Sequence, residues 1–150
     1  MTWSIRRLGS DDKATLDLLA REDADFDVDG RGEPLAPLSD EAARAYLADP
    51  NVLHWIAEEA GVVIGFLSCY LLHKRTGTAE VLLYEIGVRS AARRRGVGRA
   101  LIDTLHAFMR SRQIPEVWVL ADNDGAVDFY RACKYDVSDD MAVYMTREDD

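Results

Sequence analysis

Read only for its hydrophobic and polar positions, the chain is a succession of short segments whose apolar period switches between that of a strand and that of a helix. Trp3 to Leu8 alternates like a half-buried strand. Asp11 or Asp12 can cap the helix that follows, with Leu16, Leu18 and Leu19 toward a core. Residues 22–38 are acidic, carry Gly30, Gly32, Pro34 and Pro37, and read as one long loop, a length that often marks a functional loop. Ser39 or Asp40 begins a second helix that ends before Pro50. Val52 to Glu59 and Val62 to Leu72 predict two strands joined as a hairpin near Gly61. His73 to Ala79 is a loop and residues 81–88 a further strand. A helix from about Gly98 to Arg112 carries Leu101, Ile102, Leu105, Phe108 and Met109 as its apolar stripe. Pro115 precedes a strand from Val117 to Ala121, a helix covers about Gly125 to Cys133, and Met141 to Thr146 predicts a last strand. The order is βααβββαβαβ, in one domain of residues 1–150 without repeats.

Composition narrows the class. At 150 residues and 48% hydrophobic, the chain can bury one real core and is too short for two ordinary domains. No run approaches the roughly 18 apolar residues of a membrane span, and MTWSIRRLGSDD lacks the apolar region of a signal peptide. Cys69 and Cys133 have no metal spacing and no repeated framework; they read as buried thiols of a reduced, cytoplasmic protein. His54, His73 and His106 likewise carry no metal or nucleophile spacing, so no metal is expected. Ser68 and Cys69 have no base nearby in sequence, which argues against a covalent acyl-enzyme.

The net charge of −9 is unevenly spread. Five of the 18 basic residues lie between Arg89 and Arg99. Acidic residues crowd at Asp23, Asp25, Asp27 and Asp29, at Asp122 and Asp124, and at Asp139, Asp140, Glu148, Asp149 and Asp150. A basic spot on an acidic body suits an anionic cofactor and a cationic second substrate, and it argues against nucleic acid. Taken singly, each acidic run also reads as a solvating face.

The chemistry concentrates in residues 80–105, EVLLYEIGVRSAARRRGVGRALIDTL. An apolar β-favouring run leads through Arg93-Arg94-Arg95-Gly96-Val97-Gly98-Arg99 into an amphipathic helix. Glycines let the backbone pass close to a ligand, the first N–H groups of a helix form an anion site, and arginines add charge-assisted bonds to phosphate. No Gly-Lys-Ser/Thr follows, so this is not a P-loop, and Leu101 breaks a dinucleotide fingerprint. The bare pattern fits both a phosphate site and a solvated basic turn. Placed between strand and helix, Arg93-x-x-Gly96-x-Gly98 resembles the acetyl-coenzyme A pyrophosphate loop of the GNAT superfamily of N-acetyltransferases. Residues 117–135, VWVLADNDGAVDFYRACKY, resemble that family's second signature through Asn123, Ala126, Phe129, Tyr130 and Tyr135, with Lys134 where a glycine is usual. The element order is that of the GNAT fold as well. IRRLGSDD, LLYEIGVRSAARRRGVGRALI and VLADNDGAVDFYRACKYDV together look like the aminoglycoside 3-N-acetyltransferase branch.

The resemblance implies an α/β fold: a mixed, mostly antiparallel sheet of six to seven strands flanked by about four helices. It implies acetyl-CoA as co-substrate and a cationic amine as acceptor, without a metal or a membrane. Backbone N–H groups of Arg94, Arg95, Gly96, Val97, Gly98 and Arg99, with Ala100 beside them, are expected at the pyrophosphate, and Arg93, Arg94 or Arg99 would reach its oxygens. The pantetheine arm would pair with Ile86, Gly87 and Val88, and an N–H of Ile86 or Val88 would face the thioester oxygen. Gly87 inside a strand fits either a bulge or a close backbone approach. Glu85 is the expected base for the ammonium, with Glu80 the alternative. Tyr130 is the expected acid for the leaving thiolate, and Asn123 and Ala126 would orient backbone or cofactor. A homodimer through Met141 to Met145 is expected. Acetylation of another small amine or a protein terminus, and a coenzyme A-binding module without catalysis, are the alternative functions.

Overall fold

The structure is a computed structural model and describes residues 2–27, 34–140 and 142–149. It falls into two compact units, residues 1–120 and 121–150.

The first unit is built on a five-stranded sheet in the order β1-β2-β3-β4-β5. β1 (Trp3–Arg7), β2 (Val52–Glu59), β3 (Val62–His73) and β4 (Ala79–Val88) are antiparallel neighbours, and β5 (Val117–Val119) joins β4 in parallel. β2 and β3 turn through Ala60 and Gly61, both at positive φ (51° and 78°), the backbone of a type I′ hairpin. Helices cover both faces of the central strands, so Val52 to Ala57 is buried without interruption and shows no polar alternation.

On one face lies α4 (Val97–Arg112), whose Val97 and Leu101 meet Gly65 of β3. The predicted stripe of Leu101, Ile102, Leu105 and Met109 is buried there, and Phe108 packs edge-on to Trp55 at 5.6 Å. The opposite face carries α1 (Lys13–Arg21), α2 (Asp23–Phe26) and α3 (Asp40–Ala48). Leu8, Phe26, Ile56, Val63 and Phe66 form its core, with Leu16, Leu18, Leu19 and Leu47 packed against it. Ser39 caps α3 by accepting from the Ala42 N–H. Asp12 stands at the N-cap of α1 but does not cap it with its side chain; its carboxylate binds the Arg6 guanidinium and the Gly9 N–H instead.

Three expectations are corrected. Residues 22–38 are not loop throughout: α2 forms within them, held by contacts that local sequence does not display. Gly30 and Gly32 lie outside the described residues. Among the described residues the sheet has five strands rather than six or seven, with five α-helices rather than about four. The missing strand is the one expected from Met141 to Thr146: residues 142–146 form no regular element, and Val143, Tyr144 and Met145 are exposed. Strand propensity alone supplies no ladder of hydrogen bonds.

The second unit contains α5 (Asp124–Ala132). Asn123 caps it, its side-chain oxygen accepting from the Ala126 N–H at 2.8 Å. The helix ends in a Schellman motif: Tyr135 N–H donates to the Tyr130 carbonyl, and Lys134 N–H to the Arg131 carbonyl. Lys134 takes the left-handed position at φ 70°, where the family's glycine would stand, and the Tyr130 and Tyr135 rings close the cap at 5.5 Å.

Gly87 is closely packed. A Cβ there would stand 2.7 Å from the Phe66 ring and 3.0 Å from Phe26 Cβ. Gly87→Ala is expected to cost about 1–3 kcal/mol by overpacking, read in urea unfolding.

Candidate active site

The site follows from the register of β3 and β4. Cys69 pairs with Leu83 but Ser68 pairs with Glu85, so Tyr84 is an extra residue in β4. Before this bulge Val81 and Leu83 share the α4 face with Cys69 and Leu71; after it, Ile86 and Val88 do. Glu85 and Gly87 are therefore turned onto the face of Ser68 and Phe66, below α2 and α3. Tyr84 and Glu85 are consecutive and both exposed, and Tyr84 packs edge-on to Tyr70 at 5.6 Å. Without the bulge, Glu85 would point toward the apolar α4 face. β5 pairs only with Val81, Leu82 and Leu83, so β4 opens on that side where the bulge begins.

Of the two readings left open for Gly87, bulge or close approach, the geometry selects close approach. The approaching groups are Phe66 and Phe26, the latter with its carbonyl 3.1 Å from the would-be Cβ. Glu80 lies at the paired end of β4, half-buried and 3.9 Å from the Lys74 ammonium. Glu85 alone of the two stands at the opening.

Around Glu85 the electrostatics are anionic. Partial burial, with the nearby Asp23 carboxylate adding like charge, holds its pKa above the ordinary carboxylate value. The residue is exposed by area, so its desolvation is incomplete, but both influences act in the same direction. Tyr46 from α3 and Tyr70 also feel the Glu85 charge and are raised, chiefly by burial. The surroundings are thus two carboxylates and three tyrosines.

After β4 comes a short 3₁₀ turn, Ser90–Ala92, then the loop into α4. Arg94 (φ 62°) and Gly96 (φ 84°) both adopt left-handed backbone, and nothing stands within 4 Å of a would-be Gly96 Cβ. Gly96 is the N-cap of the 16-residue α4 and leaves its first N–H groups without a side-chain cap. Val97 and Gly98 are buried, Ala100 is half-buried, and Arg94 and Arg99 are exposed. Free N–H groups at a long helix's positive end, beside exposed guanidinium groups, fit the pyrophosphate of acetyl-CoA.

Of the three side chains expected to reach the phosphates, Arg93 is engaged elsewhere: it donates to the carbonyls of Val88 (3.1 Å), Asp27 (3.0 Å) and Asp25 (3.5 Å). Arg95, expected there through its backbone N–H, pairs its side chain with Glu59, whose pKa is pulled down to about 2 chiefly by that bond. Among the described residues, Arg94 and Arg99 have no ion pair. Arg89, noted in the sequence only for its charge, is an anchor: it binds Glu22 and Asp25 at 3.1 Å each and covers the Phe26 ring at 4.7 Å. Ser90 donates to Asp25 as well. Of the acidic cluster, Asp25 is thus structural, Asp23 faces Glu85, and Asp29 lies outside the described residues.

In the second unit, Asn123 and Ala126 are joined as cap and capped N–H, and Tyr130 is buried with its ring 5.2 Å from Phe129. Cys69 is buried and its thiol is pushed up to about 12, which leaves it inert as a nucleophile. Cys133 is half-buried rather than buried. Tyr46, His54 and Ser68 form a polar group that no local pattern signals, since its members come from three separate elements.

The site thus combines a sheet opened beside a carboxylate with an uncapped helix start at the end of the loop that follows. A model of the Acetyltransferase (GNAT) family matches residues 17–135, and the chain belongs to that family, whose enzymes use acetyl-CoA. An N-acetyltransferase of Methanocaldococcus jannaschii, itself uncharacterised, is 37% identical over 84 residues, 51% of this chain and 36% of that protein. An acetyltransferase of Sodalis glossinidius is 33% identical over 96 residues, 62% of this chain and 63% of that protein. The chain thus matches less than two thirds of the length of either relative. The fold is shared with an aminoglycoside acetyltransferase from an uncultured soil metagenomic sample, in complex with sisomicin, at TM-score 0.85 and 22% identity over 99% of this chain and 97% of that one. It is also shared with a ribosomal-protein-alanine N-acetyltransferase from Brucella melitensis biovar Abortus 2308, at TM-score 0.73 and 22% identity over 98% and 99% of the two chains. No helix of the described residues is long and apolar enough to cross a membrane.

A carboxyl whose pKa is higher folded than unfolded favours the fold below its unfolded pKa and loses that advantage as pH rises through the folded value. Glu85→Gln should therefore be more stable than the parent at pH 7. The difference should vanish below about pH 4, where Glu85 is protonated in both states. Urea midpoints at the two pH values measure it.

Proposed function

We propose that this protein transfers the acetyl group of acetyl-CoA directly to a primary amine of a cationic small molecule, an aminoglycoside at its 3-N position, within a ternary complex. The observation that carries this reading is the Tyr84 bulge, which brings Glu85 to the open stretch of β4 beside Asp23. Two carboxylates attract an ammonium, and exposed Tyr84 and half-buried Tyr70 offer ring faces to the sugar or amine body.

An amine of ordinary pKa is mostly protonated at neutral pH and must lose a proton before it attacks. Glu85 accepts that proton, its raised pKa bringing it closer to the working pH. The lone pair then attacks the thioester carbonyl, whose developing oxyanion is met by a backbone N–H of Ile86 or Val88. Tyr130 returns a proton to the leaving thiolate. The pyrophosphate rests on the N–H groups from Arg94 to Arg99, with the Arg94 and Arg99 side chains on its oxygens. The exposed apolar residues Val143, Tyr144 and Met145 support a homodimer through this segment.

The test is free-thiol release from acetyl-CoA across gentamicin-type, kanamycin-type and polyamine acceptors. Turnover confined to aminoglycosides is the expected result, and product regiochemistry by NMR checks the 3-N position. Turnover only with other amines would overturn the acceptor, and coenzyme A binding with no turnover would overturn catalysis. Glu85→Gln is expected to lower kcat/KM by about 10²–10⁴-fold at neutral pH, the contribution of a general base.

A further inference from the structure

The polar bonds that hold α2 to the sheet come from one short stretch, residues 89–93. Arg89 binds the Glu22 and Asp25 carboxylates, and its Nε donates to the Val63 carbonyl of β3 at 2.9 Å. The Ser90 hydroxyl donates to Asp25. Arg93 joins the end of β4 to the end of α2: its Nε donates to the Val88 carbonyl, and its Nη2 to the carbonyls of Asp27 and Asp25. Those last two carbonyls lie where a helix leaves its acceptors without an intrahelical partner. Arg93 leads the pattern Arg93-x-x-Gly96-x-Gly98, yet its side chain is engaged by α2 and β4.

What these bonds place is Asp23. Phe26 is set down on Gly87, its Cβ 3.0 Å and its carbonyl 3.1 Å from a would-be Cβ there. Asp23 comes three residues earlier, about one helical turn, and Glu85 comes two residues before Gly87 on the same face of β4. Glu22 and Asp25 are paired with Arg89, whereas Asp23 has no ion pair among the described residues. Apolar packing of Phe26 on Phe66 is non-directional and leaves α2 free to turn about its own axis. Hydrogen bonds to the Asp25 and Asp27 carbonyls and to the Asp25 carboxylate remove that freedom, and with it the freedom of Asp23 to swing away from Glu85.

We propose that Arg93, assisted by Arg89 and Ser90, is a positioning residue for the acceptor, acting through α2 to hold the Asp23 carboxylate beside Glu85, where the two receive the ammonium. The inference rests on the reading of Glu85 and Asp23 as the ammonium site. Neither arginine is asked to touch the amine, the thioester or a phosphate. One connection between β4 and α4 thereby serves both halves of the site, and its first arginine belongs to the acceptor half.

The Glu85 carboxyl reports the placement of Asp23 without turnover. Around it stand Asp23 from α2, Tyr46 from α3, Tyr70 from β3 and Tyr84 beside it in β4, of which Asp23 alone is anionic at neutral pH. Its midpoint is followed by ¹³C NMR in glutamate-labelled protein, with Glu85→Gln identifying the resonance. Asp23→Asn is expected to lower the midpoint by about half a pH unit, a threefold change in proton affinity, and Arg93→Met to lower it as well. Loss of the Arg93 cation by itself would raise the midpoint, so a fall reports the departure of Asp23. In the Asp23→Asn background Arg93→Met is expected to give no further fall, since no charge at position 23 is left to move. An unmoved midpoint in folded Arg93→Met, or an equal fall in both backgrounds, would sink the proposal. If Arg93→Met does not fold, Ser90→Ala, which removes only the hydroxyl on Asp25, decides by the same criterion. Coenzyme A affinity by calorimetry is expected to be retained in Arg93→Met; its loss together with a shallower salt dependence would make Arg93 a phosphate ligand and overturn the assignment. Where turnover with a cationic amine is found, Arg93→Met should raise KM for that amine more than it lowers kcat. Because only this last reading uses the proposed activity, absence of turnover would count against the activity and leave the carboxyl titration to decide the placement of Asp23.

Discussion

β4 is paired on both sides as far as Leu83 and on one side only beyond it, and the extra residue at Tyr84 falls at that change. A bulge reverses which face each later side chain takes. Ile86 and Val88 can therefore continue the apolar face toward α4, while Glu85 and Gly87 turn to the other side. Had the alternation run on unbroken, the chain would have had to bury a carboxylate against the α4 core. At the same place the pairing with the three-residue β5 ends, so the last part of β4 has no strand neighbour on that side. Orientation of the carboxylate follows from the bulge, and it falls where the sheet opens.

A second dependence runs through α2. A four-residue helix cannot hold itself together, because nucleation outweighs so few hydrogen bonds. It persists here because Phe26 packs on Phe66 and over Gly87, Arg89 binds Glu22 and Asp25, and Arg93 binds the carbonyls of Asp25 and Asp27. The absence of a side chain at position 87 lets this segment lie directly on the sheet. Asp23 is thereby brought to Glu85. Basic residues at the start of the loop into α4 thus hold α2 on the sheet, and the charge cluster at 89–99 divides into paired side chains (Arg89, Arg93, Arg95) and side chains without an ion pair among the described residues (Arg94, Arg99).

Burial sets the protonation pattern on the two faces of the sheet in opposite senses for acids and bases. It raises Glu85 and Cys69 and lowers His54, in each case because the charged form loses water. A nearby like charge adds to the effect at Glu85, and among the described residues no cation relieves it. The charges acting on Glu85 are thus carboxylates, an arrangement that favours an incoming ammonium over an anion.

The sequence by itself determined the elements and the loop. The alternating stretch at 3–7, the apolar runs at 52–59 and 62–73, the stripe of α4, and the Gly96 and Gly98 spacing are local properties, set by backbone sterics and by which face each side chain must bury. The start of α3 at Ser39 was legible for the same reason, since a cap bonds to an N–H only a few residues away. What the tertiary structure alone decided is pairing between distant segments. The position of the bulge depends on how β4 meets β3, and the fold of 23–26 depends on Arg89 and Arg93. The absence of a strand at 142–146 is equally non-local, because an extended segment becomes a strand only where a partner supplies its ladder. Likewise Tyr46, His54 and Ser68 carry no mutual signal in the chain; they meet because three elements bring them to one row. Local sterics and periodicity are written residue by residue, whereas register and long-range hydrogen bonds arise only when the segments are packed.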